Sequence, residues 1–171
     1  MRIELDKLEG GKGSFSHTYQ PGELILDEEQ ARLTEPPEVR GRISRTGREV
    51  RLQGTLNARA EVDCDRCLKS IAVPVEAEFD VRYVPAADYE ETAARELQEE
   101  DLSFSVFADE AIDLDELVRE QVLLALPTRA LCSEDCKGFC PVCGANRNTQ
   151  SCDCETVETD PRWDSLKNLR F

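Results

Sequence analysis

Eight cysteines stand out because all of them fall in close pairs: Cys64-Asp65-Arg66-Cys67, Cys132-Ser133-Glu134-Asp135-Cys136, Cys140-Pro141-Val142-Cys143-Gly144 and Cys152-Asp153-Cys154. A two-residue gap lets one tight turn aim two thiolates at a single tetrahedral ion, and the Pro and Gly around Cys143 suit a turn whose backbone amides point at sulfur. Eight thiolates match two four-cysteine zinc sites. Cys140 and Cys143 are expected to join Cys152 and Cys154, because the loop between them is short enough to close at small entropic cost. By elimination Cys64 and Cys67 would meet Cys132 and Cys136, a long-range staple. A single zinc drawn from the C-terminal six cysteines is the alternative arrangement, and an iron–sulfur cluster, disulfides or free thiols are the competing chemistries. Two filled sites would move the formal net charge from -15 to about -19. Arg66, Lys137 and Arg147 stand near the pairs and either offset part of that charge or are ordinary solvated residues.

Little else in the chain suggests chemistry. A catalytic zinc keeps an open position among His or carboxylate ligands, and the single histidine, His17, lies outside every cysteine pair. His17 reads as an exposed or capping residue. The run Glu9-Gly10-Gly11-Lys12-Gly13 lacks the spacing of a phosphate cradle and reads as a turn or loop. No acid–base constellation emerges, so a non-enzymatic protein is expected.

The elements that would position the cysteines follow from the hydrophobic pattern. Ile3 to Leu8 alternates like a strand, and Glu35-Pro36-Pro37-Glu38 reads as a loop or extended connector. From Val39 to Val84 the pattern is β, with a turn at Thr46-Gly47 and the Cys64 to Cys67 turn at a hairpin tip. The clearest strand sets Ile71, Val73, Val75, Ala77, Phe79, Val81 and Tyr83 on one face and Glu76, Glu78, Asp80 and Arg82 on the other. Residues 86–101 read as helix or loop, and Phe104, Val106 and Phe107 as another short strand. Asp113 looks like an N-cap for a helix in which Leu114, Leu117, Val118, Val122 and Ala125 share a face up to Pro127. Trp163, Leu166, Leu169 and Phe171 suggest a terminal amphipathic turn. The expected fold is α+β: an antiparallel β-sheet meander with one main covering helix and a cysteine-rich, zinc-binding C-terminal segment. The expected organisation is an α+β domain over 1–131 and a metal-binding tail over 132–171 packed on it.

Charge and composition bound the partners. With 40% hydrophobic and 33% charged residues the chain is neither disordered nor membrane-spanning in character. Its longest apolar run, Val122 to Leu126, is far short of the roughly 20 residues a membrane helix needs, and Met1 to Asp6 has no apolar run of a secretory signal. A cytoplasmic location is expected, where thiols stay reduced. The acidity is concentrated: residues 61–131 hold 19 Asp and Glu against 6 Lys and Arg. Such a field disfavours direct RNA or DNA binding and favours a basic protein partner, unless it serves only solubility. Arg40, Arg42, Arg45, Arg48 and Arg51 are the nearest approach to a basic stripe, read here as a solvated sheet face.

Cys64-Asp65-Arg66-Cys67-Leu68 between two strands, the acidic middle, the helix ending at Leu126-Pro127, Leu131-Cys132 through Cys136-Lys137-Gly138-Phe139-Cys140-Pro141-Val142-Cys143-Gly144, and Cys152-Asp153-Cys154 together resemble the YceD-like family of bacterial proteins. The resemblance implies a role in the accumulation of large-subunit ribosomal RNA, and it carries over the cysteines alone, as metal ligands. Combined with the charge, it points to a ribosome-assembly factor that binds a basic ribosomal protein or a pre-ribosomal particle. A redox-regulated zinc chaperone is the alternative, and an RNA-binding zinc module a third reading, with direct RNA contact left open.

Overall fold

The computed structural model describes residues 1–26, 31–88, 104–154 and Arg162. Among them, strands β1 (Arg2–Glu4), β2 (Lys12–Thr18), β3 (Ala31–Thr46), β4 (Glu49–Asp63), β5 (Ser70–Pro85), β6 (Phe104–Phe107) and β7 (Ala111–Asp113) precede helix α1 (Leu114–Ala125). The chain divides into two compact units, one of Met1–Val62 with Ala72–Thr128 and one of Asp63–Ile71 with Arg129–Phe171. The acidic segment 89–103 and the terminal Trp163, Leu166, Leu169 and Phe171 lie outside the described residues.

The first unit is built on a five-stranded sheet in the order β2-β3-β4-β5-β6, and β1 and β7 pair separately. β2 pairs antiparallel with β3, and β3 antiparallel with β4, as the meander requires. The sheet is mixed, however, because β6 pairs with β5 in parallel, Arg82 opposite Phe104. A parallel partner needs a crossover of a dozen or more residues, and the 18 residues between Pro85 and Phe104 supply that length. In β5 the expected alternation holds: Val75, Phe79 and Tyr83 are buried while Glu76, Glu78 and Asp80 are exposed. The helix also begins where its cap indicates, with the Asp113 side chain accepting from Asp115 N at 2.9 Å. Leu114, Leu117, Val118 and Val122 are buried in the same core as Val39, Leu52 and Leu56, each such side chain contributing about 1.5–3 kcal/mol relative to exposure.

Two elements differ from the expectation. The strand read over Ile3 to Leu8 ends at Glu4, and Leu5–Lys7 forms a 3-10 turn that buries Leu5 in the core. The Pro36-Pro37 segment, read as a loop or extended connector, is extended but lies inside β3 and is not a connector. Its prolines fall where the β3–β4 register shifts, between Glu35 and Glu38, and beyond the end of β2, so the missing donors cost no ladder bonds on that side. A further feature couples two glycines to two rings. Gly41 and Gly54 are opposite each other, and a Cβ on them would come within 2.6 Å of the Phe15 ring and 2.7 Å of the Phe79 ring. The two phenylalanines stack at 6.5 Å over the space the glycines leave. Among the described residues, no helix is long and apolar enough to cross a membrane.

Candidate metal centres

The second unit begins where β4 and β5 reverse. Cys64 N donates to Lys69 O at 2.9 Å and Leu68 N to Cys64 O at 2.9 Å, closing a turn that carries both Cys64 and Cys67. The segment after α1 docks on this turn by main-chain and side-chain bonds: Asp65 N donates to Ala130 O, and Ala130 N donates to Asp65 Oδ2 at 2.7 Å. Phe139 N donates to Arg66 O, and the Arg66 guanidinium donates to Cys136 O at 2.6 Å. Arg66 is therefore a clamp between the two segments and not a free surface cation.

These contacts bring Cys64, Cys67, Cys132 and Cys136 together, with their sulfurs within 4.8 Å of one another. Cys140, Cys143, Cys152 and Cys154 form a second tetrad, their sulfurs also within 4.8 Å of one another. In the first, the Cys64 and Cys136 sulfurs are 3.9 Å apart and those of Cys67 and Cys132 are 3.6 Å apart. A disulfide would require about 2.05 Å. A tetrahedral ion with metal–sulfur bonds of about 2.3 Å sets the sulfurs about 3.8 Å apart. The spacing therefore fits thiolates around an ion, and each tetrad can hold one.

The local turn is used twice. Around Cys140, the amide of Cys140 donates to Ala145 O at 2.8 Å and that of Gly144 to Cys140 O at 2.9 Å, repeating the pattern at Cys64. In both turns the residue after the second cysteine is left-handed, Leu68 at φ 53° and Gly144 at φ 72°. That bend aims main-chain N–H groups at sulfur. The amides of Arg66 and Cys132 pull the Cys64 thiol down to about 6, and those of Cys143 and Val142 do the same for Cys140, also to about 6. Within each tetrad, proximity works against ionising the rest. Lys69 N–H favours the Cys67 thiolate, but burial and the surrounding sulfurs push it up to about 12; the Cys143 sulfur, with burial, pushes Cys154 up to about 12. A dication offsets this mutual repulsion of thiolates.

Asn148 was not singled out by its sequence position. Its Nδ2 donates to Cys136 Sγ at 3.4 Å while its Oδ1 accepts from Lys137 N at 2.8 Å, so it orients a cysteine from outside the tetrad. The Asn146-Arg147-Asn148 triplet is the signal that marks it, since Asn side chains close such turns on their own backbone. Lys137 and Arg147 contribute main-chain bonds here. His17 is in β2, beside Glu23 at 3.3 Å and edge-on to Tyr19, and belongs to neither tetrad.

The fold and the two tetrads define a β-rich protein with two four-thiol clusters, each able to hold a metal ion. The family model described as "Large ribosomal RNA subunit accumulation protein YceD" matches residues 52–170, a span that includes all eight cysteines, and the chain belongs to that family. It is 33% identical over 128 residues to an uncharacterized protein of Mycobacterium tuberculosis, covering 75% of this chain and 59% of that one. It is 28% identical to the chloroplastic large ribosomal RNA subunit accumulation protein YCED homolog 1 of Arabidopsis thaliana over 79% of this chain and 49% of that one. It is 25% identical to the uncharacterized protein YlbN of Bacillus subtilis over 91% and 86%. The chain thus spans little more than half of the mycobacterial relative and about half of the plant one. No solved structure matches it.

Proposed function

We propose that this chain is a non-enzymatic ribosome-assembly factor that supports accumulation of large-subunit ribosomal RNA by binding a basic ribosomal protein, with a structural zinc ion in each cysteine tetrad. The observation that carries the reading is the family match across 52–170, which takes in every cysteine. Zinc is favoured by four thiolates at tetrahedral spacing, the ligand set of its closed structural sites, which leave no position for a substrate. Its chemistry there is to crosslink turns. The protein partner is supported by charge: a net -15, concentrated in 61–131, attracts a cationic surface and speeds encounter.

The test is a tagged pull-down from growing cells at rising salt. Large-subunit precursors should be enriched over mature subunits. The attachment should weaken as the Debye length shrinks from about 10 Å at 0.1 M to about 3 Å at 1 M. Replacing Glu90, Glu91, Glu96, Glu99, Glu100 and Asp101, which lie outside the described residues, with neutral side chains should slow association and leave metal content unchanged. Recovery of small-subunit particles instead, or ribonuclease activity in the purified protein, would remove the reading.

A further inference from the structure

Five arginines lie between Arg40 and Arg51 of the β3–β4 hairpin, and their surroundings divide them. Arg45 pairs with Glu110 at 2.7 Å, Arg48 with Asp88 at 2.7 Å, and Arg51 grips both carboxylate oxygens of Asp80. Arg40 and Arg42 have no carboxylate partner among the described residues. Arg40 Nε donates to Thr55 Oγ1 at 3.3 Å, and the Arg42 side chain makes no hydrogen bond among the described residues. Both are exposed, on the face of β3 opposite the buried Val39 and Ile43.

Register surrounds this pair with neutral donors. Arg40 is opposite Ser16 and Thr55, and Arg42 is opposite Ser14 and Gln53. These six residues line a groove of about 1150 Å3 that crosses β2 to β5. Asp80, in the same groove, is already held by Arg51 and by Gln53 Nε2 at 2.9 Å. Glu78 lines the β5 side and restricts the anion-binding part to β2, β3 and β4. Guanidinium groups flanked by hydroxyls and an amide are the donor set that recognises phosphate oxygens. Two cations at alternate strand positions are about 7 Å apart along β3, which suits a repeating polyanion better than a single small ion.

We propose that this groove binds the phosphodiester backbone of single-stranded RNA, one phosphate at each of Arg40 and Arg42. The choice of RNA among polyanions rests on the assembly-factor reading. Two contacts against an overall negative field make a weak foothold, effective when a protein partner already holds the particle nearby.

The test uses the full, metal-loaded chain and a fluorescent RNA of about 10 unpaired nucleotides, followed by anisotropy as salt rises. The wild type should bind weakly, with the logarithm of its affinity falling linearly in the logarithm of salt. Arg40→Ala/Arg42→Ala should lose at least about tenfold at low salt, with a slope shallower by about 1.4, at about 0.7 per lost phosphate contact. Arg45→Ala/Arg48→Ala removes the same charge and should leave the slope near the wild-type value; far-UV dichroism and thermal unfolding verify that both variants fold. Absence of wild-type binding at low salt overturns the proposal. So does equal loss in the two variants, or displacement of RNA by polyglutamate as effectively as by unlabelled RNA, which would assign the groove to an acidic polypeptide. If RNA binding fails while the pull-down still enriches large-subunit precursors, the groove alone is wrong; if both fail, the assembly reading is wrong as well.

Discussion

Leu68 and Gly144 occupy the same place in two copies of one turn, and only one of them is comfortable there. A left-handed backbone costs a side chain with a Cβ about 1–2 kcal/mol, and Leu68 adopts it at φ 53° while remaining 65% exposed. Little burial would be lost on removing the side chain. Leu68→Gly relieves the strain and gives back about 0.5–1 kcal/mol as entropy of the unfolded chain. The variant should therefore be more stable by up to about 1 kcal/mol in denaturant unfolding of the metal-loaded protein. A loss of stability would mean that the Leu68 side chain packs against a surface, and the strain argument would be wrong.

At the scale of elements, Arg51 and Asp80 tie β4 to β5. Arg51 holds the Asp80 carboxyl down to about 2, assisted by Gln53. A carboxyl depressed in the folded state adds stability above its unfolded value near 3.9, and that stability is lost as pH falls toward 2. Both side chains are substantially exposed, so solvent screening keeps the pair's contribution small. Asp80→Asn should melt below the wild type at pH 6 and converge with it as pH approaches 2. A gap in melting temperature that stayed constant from pH 6 to pH 2 would mean that the pair contributes nothing through its charge. The same strands show how much of the sheet was legible. The period of two in β5 named its buried face because alternation is a local property, and Asp113 before an apolar stripe named the start of α1. The parallel placement of β6 was not legible, since four residues of strand pattern carry no direction.

At the scale of the whole molecule, burial separates the two tetrads. Cys64, Cys67 and Cys136 are buried with Cys132 half-buried, whereas in the second tetrad only Cys140 is buried, Cys152 is half-buried, and Cys143 and Cys154 are exposed. With zinc in both, a chelator should remove metal in two phases, the faster from Cys140, Cys143, Cys152 and Cys154, because a competing ligand reaches exposed thiolates first. Elemental analysis should find about two zinc ions per chain before treatment, and Cys152→Ser should abolish the fast phase while the slow one persists. Release in one phase, or loss of the slow phase on that substitution, would contradict the assignment of phases to sites.

What the sequence determined by itself is local. Cysteine gaps of one to three residues, the turn residues between them, the alternation of β5 and the capped stripe of α1 all act within a few residues and can be read in order. The tertiary structure decided which pairs meet across distance. Within the sequence, Cys64 and Cys67 reach Cys132 and Cys136 only by elimination. In the fold, the β4–β5 reversal places Asp65 and Arg66 where Ala130, Cys136 and Phe139 bond to them, and those bonds bring the sulfurs together. It also decided which arginines are neutralised: the five from Arg40 to Arg51 look alike in the sequence, but a charge is cancelled by whatever lies across the sheet or turn. Glu110, Asp88 and Asp80 are placed there by long-range packing, and no spacing along the chain encodes it.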